Sequence, residues 1–129
     1  MPAPKASLLG SNPVLAASDY ERARTFYRDQ LGYTVVEEGG DPPRFGIFRR
    51  DKSQLFVDSW NGHREPVPGL WSAYVHAVNL DELASEFESK GVRLTKPITD
   101  TVYGMREFEV TDPDGNIVCY GEDLDEVAS

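Results

Sequence analysis

From residue 105 to 121 the chain alternates apolar and polar positions in twos. Phe108 and Val110 stand between Glu107, Glu109 and Thr111, the signature of a half-buried strand over Met105 to Thr111. Asp112, Pro113, Asp114, Gly115 and Asn116 supply turn-forming residues. Ile117, Val118 and Tyr120 then resume a strand over Asn116 to Gly121, with Cys119 in its middle. The segment reads as a hairpin.

Upstream the period changes. Residues 13–17, Pro-Val-Leu-Ala-Ala, form a short apolar run, and Pro13 suits the start or edge of a strand. Ser18 or Asp19 can cap a helix from about Tyr20 to Gln30, whose Ala23, Phe26, Tyr27 and Leu31 share one face before Gly32 ends it. Three strand candidates follow, at Tyr33 to Glu37, Phe45 to Arg49 and Gln54 to Ser59. A breaker-rich loop, GGDPP, separates the first two, and Asp51-Lys52-Ser53 makes a hairpin turn before the third.

About 60 residues later the plan recurs. Trp71 to Val78 predicts a strand, and Asn79 or Asp81 caps a helix whose buried side is marked by Leu83, Phe87 and Val92. Gly91 ends that helix as Gly32 ends the first. Strands are expected near Val92 to Lys96, then in the hairpin at 105–121. The repeats cover about 7–60 and 71–122, joined by a linker at about 61–70 that is rich in Pro and Gly. Strand, helix and three strands, written twice, predict two βαβββ modules in one domain spanning 1–129.

A chain of 129 residues is long enough to bury a core without a structural metal. Its 22 acidic and 13 basic side chains leave a formal net charge of -9. That surface repels nucleic acid and anionic lipid, which excludes both as partners, and attracts cationic small molecules. A single cysteine forms no internal disulfide, and MPAPKASLLG lacks the apolar stretch of a secretory signal. No run reaches the roughly 20 apolar residues of a membrane span. The expected compartment is the cytoplasm.

Three motifs carry a resemblance: SDYERARTFYRDQLGY at 18–33, NLDELASEFESKGV at 79–92 and DPDGN at 112–116. Together they resemble the vicinal oxygen chelate superfamily of glyoxalases, extradiol dioxygenases and bleomycin resistance proteins, over nearly the whole chain. The resemblance implies an α+β fold in which two βαβββ modules build curved mixed sheets around a cleft. It also implies four metal-ligand positions on inward-facing strands, which fall at Asn12, Phe56, Ser72 and Cys119. Phe offers no donor, and Asn and Ser are weak neutral ones. A register one residue away brings in Trp71, Leu55 or Val118, which are no better. The implied member has no metal and no cofactor, and Cys119 is then a small lining residue rather than a ligand. His63 falls in the linker. His76 should face the cleft with Ser72 and Tyr74, either as a hydrogen-bonding wall or as a metal ligand with Asp58 or Glu122.

Within the superfamily the resemblance runs to the bleomycin resistance proteins. Pro13-Val14-Leu15 matches their first strand, and Tyr103-Gly104-Met105-Arg106-Glu107-Phe108 matches their aromatic-Gly-x-Arg-Glu-Phe lead into the hairpin. Tyr103 departs from their usual Trp, though both rings can stack on a planar heteroaromatic group. The resemblance implies a homodimer that sequesters a bleomycin-type drug between subunits without altering it. The ligand-binding residues would be Tyr103, Gly104, Arg106, Phe56, Trp60, Tyr74, His76 and Cys119. Glu107, Glu109, Asp58 and Glu122 would favour a cationic guest, unless they are solvated strand carboxylates. Arg106 either touches ligand or pairs with Glu107 or Glu109, and Trp71 and Tyr74 either line the cleft or belong to the core. Two further readings stay open: a metal-dependent lyase, isomerase or dioxygenase with ligands elsewhere, and a binder of an unrelated planar metabolite.

Overall fold

The computed structural model describes residues 3–60 and 64–125. The chain begins its first sheet with β1 (Val14–Ala16), then enters α1 (Tyr20–Thr25), where the Asp19 carboxylate accepts the Arg22 N–H at 3.2 Å. Helix geometry does not stay regular to Gln30. Residues Phe26–Gln30 form a π turn that still buries Phe26 and Tyr27. Gly32 follows at φ +78, the left-handed conformation that a helix stop requires. Strands β2 (Thr34–Gly39), β3 (Phe45–Arg50) and β4 (Ser53–Asp58) complete the first sheet.

The second unit has the same order: β5 (Trp71–His76), α2 (Leu80–Ser89), β6 (Leu94–Asp100), β7 (Met105–Thr111) and β8 (Ile117–Asp123). Asn79 precedes α2 in the left-handed region at φ 54, and its side chain makes no capping hydrogen bond. The Glu122 carboxylate does that work from β8, accepting the Asn79 N–H at 2.7 Å and the Leu80 N–H at 3.2 Å. The strand expected at Val92 to Lys96 instead runs from Leu94 to Asp100. Its pairing with β7 shifts register at Leu94/Lys96 and again at Lys96/Thr99, so Pro97 is carried in an irregular edge strand.

The sheets have orders β1-β4-β3-β2 and β5-β8-β7-β6. In each, the first strand runs parallel to the last and the other pairings are antiparallel: Val14 lies opposite Phe56, and Tyr74 opposite Cys119. The fold is α+β, two four-stranded mixed sheets each carrying one helical segment. Among the described residues, no helix is long and apolar enough to cross a membrane. His63 lies outside the described residues.

One continuous core joins the two units. Leu15, Tyr27, Tyr33, Phe48, Leu55 and Val57 from the first pack in the same cluster as Leu80, Phe87, Phe108, Val110, Val118 and Tyr120 from the second. Phe108 stacks on Tyr120 with ring centroids 5.4 Å apart, and Phe87 meets Tyr120 edge-on at 5.3 Å. The units meet through their helix-bearing sides. Tyr33 and Tyr120 share a hydroxyl contact at 3.3 Å, and Arg50 makes a fork onto Glu86 at 2.7 and 2.9 Å.

The DPDGN turn is a clasp between the units. Asp112 is buried, and its Oδ1 accepts the Asp114 and Asn116 N–H groups, each at 2.9 Å. Its Oδ2 accepts the Tyr27 hydroxyl at 2.7 Å and the Asn116 side-chain amide at 2.8 Å. The Asn116 amide also donates to the Ala16 carbonyl at 2.9 Å, and Asp114 accepts both the Ser18 N–H and hydroxyl. Burial, reinforced by the Asp112 charge, pushes the Tyr27 phenol well above the usual tyrosine range. Asp112→Ala should cost about 3 kcal/mol in urea unfolding, because it strands several buried donors at once. Tyr27→Phe removes one donor and should cost about 1 kcal/mol. Equal, small losses for the two variants would show that the clasp contributes nothing.

Candidate ligand-binding face

Because side chains alternate across a strand, each sheet has one face turned to its helix and one turned away. On the second sheet the helix-free face carries Tyr74 and His76 from β5, Glu107 and Glu109 from β7, and Cys119 and Gly121 from β8. Tyr103 reaches this face from the turn before β7. Gly104 takes φ +85 there, and its N–H donates to the Thr101 carbonyl at 3.3 Å.

Glu107 organises the face. It is 0% exposed, and both carboxylate oxygens accept phenols: Tyr74 at 2.8 Å on Oε2 and Tyr103 at 2.6 Å on Oε1. Tyr74 lies across β8 because residue 121 is glycine; a Cβ there would collide with the Tyr74 hydroxyl. Its ring also meets Trp71 and His76, each at a centroid distance of 5.0 Å, while the Trp71 indole N–H donates to Glu109 at 2.9 Å. Burial and the Glu107 hydrogen bond raise the Tyr74 phenol. For Tyr103 the bond to Glu107 is the larger cause of a rise. Tyr103 itself is 59% exposed.

The first sheet presents a second aromatic group on its helix-free face. Phe45 meets Phe56 edge-on at 5.5 Å and stacks on Trp60 at 5.8 Å, nearly parallel. Trp60 lies against Gly39, where a Cβ would fall 2.6 Å from its ring. Asp58 is buried beside it, accepts the Trp60 N–H at 2.8 Å and pairs with Arg64 at 3.6 Å. The ring contacts of the two groups stay within their own sheets.

Most of the expected binding residues thus fall into two clusters, Phe56 with Trp60 and Tyr74 with His76, Tyr103 and Gly104. Arg106 does not join them. Alternation turns it to the helix side of β7, where its guanidinium pairs with Asp100 at 2.8 Å and Asp81 at 3.4 Å rather than with Glu107 or Glu109. Glu122 turns the same way and caps α2, so it forms no acidic group with His76. Cys119 has the expected face but is 0% exposed, so it presents no surface to a ligand. Burial, then the charges of Glu107 and Glu109, push its thiol up to about 12.

Two surface depressions lie away from both clusters. One of about 380 Å³ is lined by Arg49, Arg50, Glu86 and Lys90, and one of about 590 Å³ by Val78, Asp81, Arg106 and Glu122. Neither is lined by an aromatic side chain.

The four positions that the resemblance assigns to metal ligands are poorly suited to an ion. Asn12 accepts from Gln54 at 3.3 Å, Phe56 has no donor, and the Ser72 hydroxyl donates to Asn116 at 3.2 Å. Cys119 is the one strong donor type among the four, and no His, Asp or Glu stands at the other three positions to share an ion with it. Among the described residues, no three His, Cys, Asp or Glu side chains gather where they could hold an ion. The residue that sequence reasoning undervalued is Glu107. From the sequence it is only one of four carboxylates that either favour a cationic guest or are solvated, and its burial under two phenols is not foreseen; the four-residue spacing from Tyr103 is the local signal that could have shown it.

Comparison with known proteins agrees with this architecture. A bleomycin resistance protein of Geobacillus stearothermophilus is 23% identical, covering 91% of this chain and 98% of that protein. An uncharacterised Bacillus subtilis protein, YwkD, is 32% identical over 78% of this chain and 85% of its own length. The crystal structure of a bleomycin-binding protein from Streptomyces verticillus, complexed with copper(II)-bleomycin, superposes with a TM-score of 0.71 at 26% identity, covering 90% of this chain and 97% of that one. Residues 11–120 match the family model for the Glyoxalase/Bleomycin resistance protein/Dioxygenase superfamily. With paired βαβββ units, that match and these relatives, the chain belongs to the glyoxalase/bleomycin resistance protein/dioxygenase superfamily.

Proposed function

We propose that this protein is a non-enzymatic binder that sequesters a planar, cationic, antibiotic-type small molecule, in a cleft formed between two subunits and without a metal of its own. The observation that carries the reading is the pairing of an exposed aromatic ring, Tyr103, with a buried carboxylate, Glu107. A flat ring offers stacking and the carboxylate offers attraction to positive charge. The bleomycin-binding relative supports the class of ligand. The net charge of -9 adds a field that draws cations to the surface.

What one chain leaves open supports the dimer. Val14, Trp60, Trp71 and Tyr103 are each about half exposed, on or beside the helix-free faces. Two-fold pairing would set the Phe56–Trp60 face of one subunit against the Tyr74–Tyr103 face of the other, covering both. A metal-dependent enzyme of the same superfamily would require donors that Asn12, Phe56, Ser72 and Cys119 do not supply.

Calorimetry should detect binding of a bleomycin-type drug. Tyr103→Ala should weaken it roughly tenfold or more, and Tyr103→Trp should match or exceed the parent. Raised salt should weaken the interaction, since screening acts on the charged part. No heat with such drugs, and no protection of bacteria expressing the protein, would refute the resistance reading.

Light scattering at micromolar concentration should give twice the 14.4 kDa chain mass; a monomer would remove the shared cleft. Elemental analysis after dialysis should find no stoichiometric divalent metal, and zinc, nickel, manganese or iron should not raise the melting temperature. One ion per chain would reinstate the enzyme.

A further inference from the structure

Glu107 is satisfied in an unusual way. The carboxylate is fully buried, and the partners on its two oxygens are neutral phenols rather than a cation. A buried charge satisfied only by neutral donors keeps its attraction for a positive group.

The two phenols are held differently. Tyr74 is fixed by its rings' contacts with Trp71 and His76 and by the space that Gly121 leaves for its hydroxyl. Tyr103 sits in a turn, 59% exposed, with its hydroxyl bound to Glu107 Oε1 at 2.6 Å. Rotation about its side-chain torsions releases that oxygen without disturbing the sheet.

We propose that Glu107 reads the charge of the ligand and that Tyr103 is its displaceable plug. A guanidinium, amidinium or ammonium arm takes the place of the Tyr103 hydroxyl on Oε1, while the freed ring stacks on the planar part of the same ligand. This inference rests on the binder reading above and adds to it the group that selects cations. The exchange replaces a neutral O–H donor with a charged N–H donor, the stronger kind of hydrogen bond to a carboxylate. A neutral ligand of the same shape gains nothing from it and must leave the plug in place.

The test uses the full chain and three probes: a bleomycin-type drug, naphthamidine, and its neutral isostere naphthamide. The parent should prefer naphthamidine to naphthamide by about tenfold or more, the cost of a charged hydrogen bond left unmade. Glu107→Gln should erase that preference. Tyr103→Phe keeps the ring but removes the competing hydroxyl. It should tighten naphthamidine by roughly threefold to tenfold and leave naphthamide unchanged. If Glu107→Gln fails to fold, as judged by circular dichroism, the Tyr103→Phe gain alone decides. Weaker naphthamidine binding by Tyr103→Phe, or a preference retained in folded Glu107→Gln, overturns the inference. If the parent still binds the drug in that case, the binder reading survives. A parent that binds none of the three probes loses both.

Discussion

A single buried carboxylate fixes how the two halves of this protein meet. Asp112 lies at the root of the β7–β8 hairpin yet takes its shortest hydrogen bond, 2.7 Å, from Tyr27 in the first unit. Desolvating a carboxylate costs several kcal/mol, and here four donors at 2.7–2.9 Å offset that cost. Asn116 extends the grip to the Ala16 carbonyl. With the helix-bearing sides locked together, the opposite faces of both sheets are left for something else. The candidate binding face is therefore defined by what the core does not use.

The same economy appears along β7. Consecutive residues serve opposite purposes: Glu107 and Glu109 build the aromatic face, while Arg106 anchors the start of α2 and Phe108 fills the core. Glu107 and Asp112 both lie on this hairpin, and both are buried acids that accept tyrosine hydroxyls. Asp112 is tied by backbone amides within its own turn, so it serves structure. Glu107 is held by two phenols, one of them on a ring that is 59% exposed, so it faces the open side of the sheet rather than its own turn.

Much of this was legible in the residues. Periodicity marked the place of every strand and both helices, to the residue where an apolar face is buried, as at Met105 to Thr111, and only loosely at the edge strand β6, which buries almost nothing. The duplicated order of elements followed from spacing alone. What escaped were relations between distant parts. Glu122 caps α2 because β8 pairs with β5, and no local signal beside Asn79 announces that. DPDGN read as a turn, but its Asp and Asn reach 85 and 100 residues back along the chain. Arg106 was grouped with Tyr103 because the two belong to one motif, although strand geometry sends it to the other side. The π turn at Phe26–Gln30 also lay hidden, since Phe26, Tyr27 and Leu31 fit an ordinary helical face equally well.

The parallel pairing of β1 with β4 has a consequence for how the chain is made. As synthesis proceeds from the N-terminus, β1 cannot find its sheet partner until β4 has been added, about 40 residues later. Even then the first unit is unfinished, because the Ala16 carbonyl and the Tyr27 hydroxyl await Asn116 and Asp112. A chain halted after its first repeat would hold a tyrosine-rich surface and bare polar groups shaped for a second repeat that does not yet exist. The duplicated plan therefore does not yield two self-sufficient halves: each repeat is the missing wall of the other, and the first is closed only when Asp112 and Asn116 arrive.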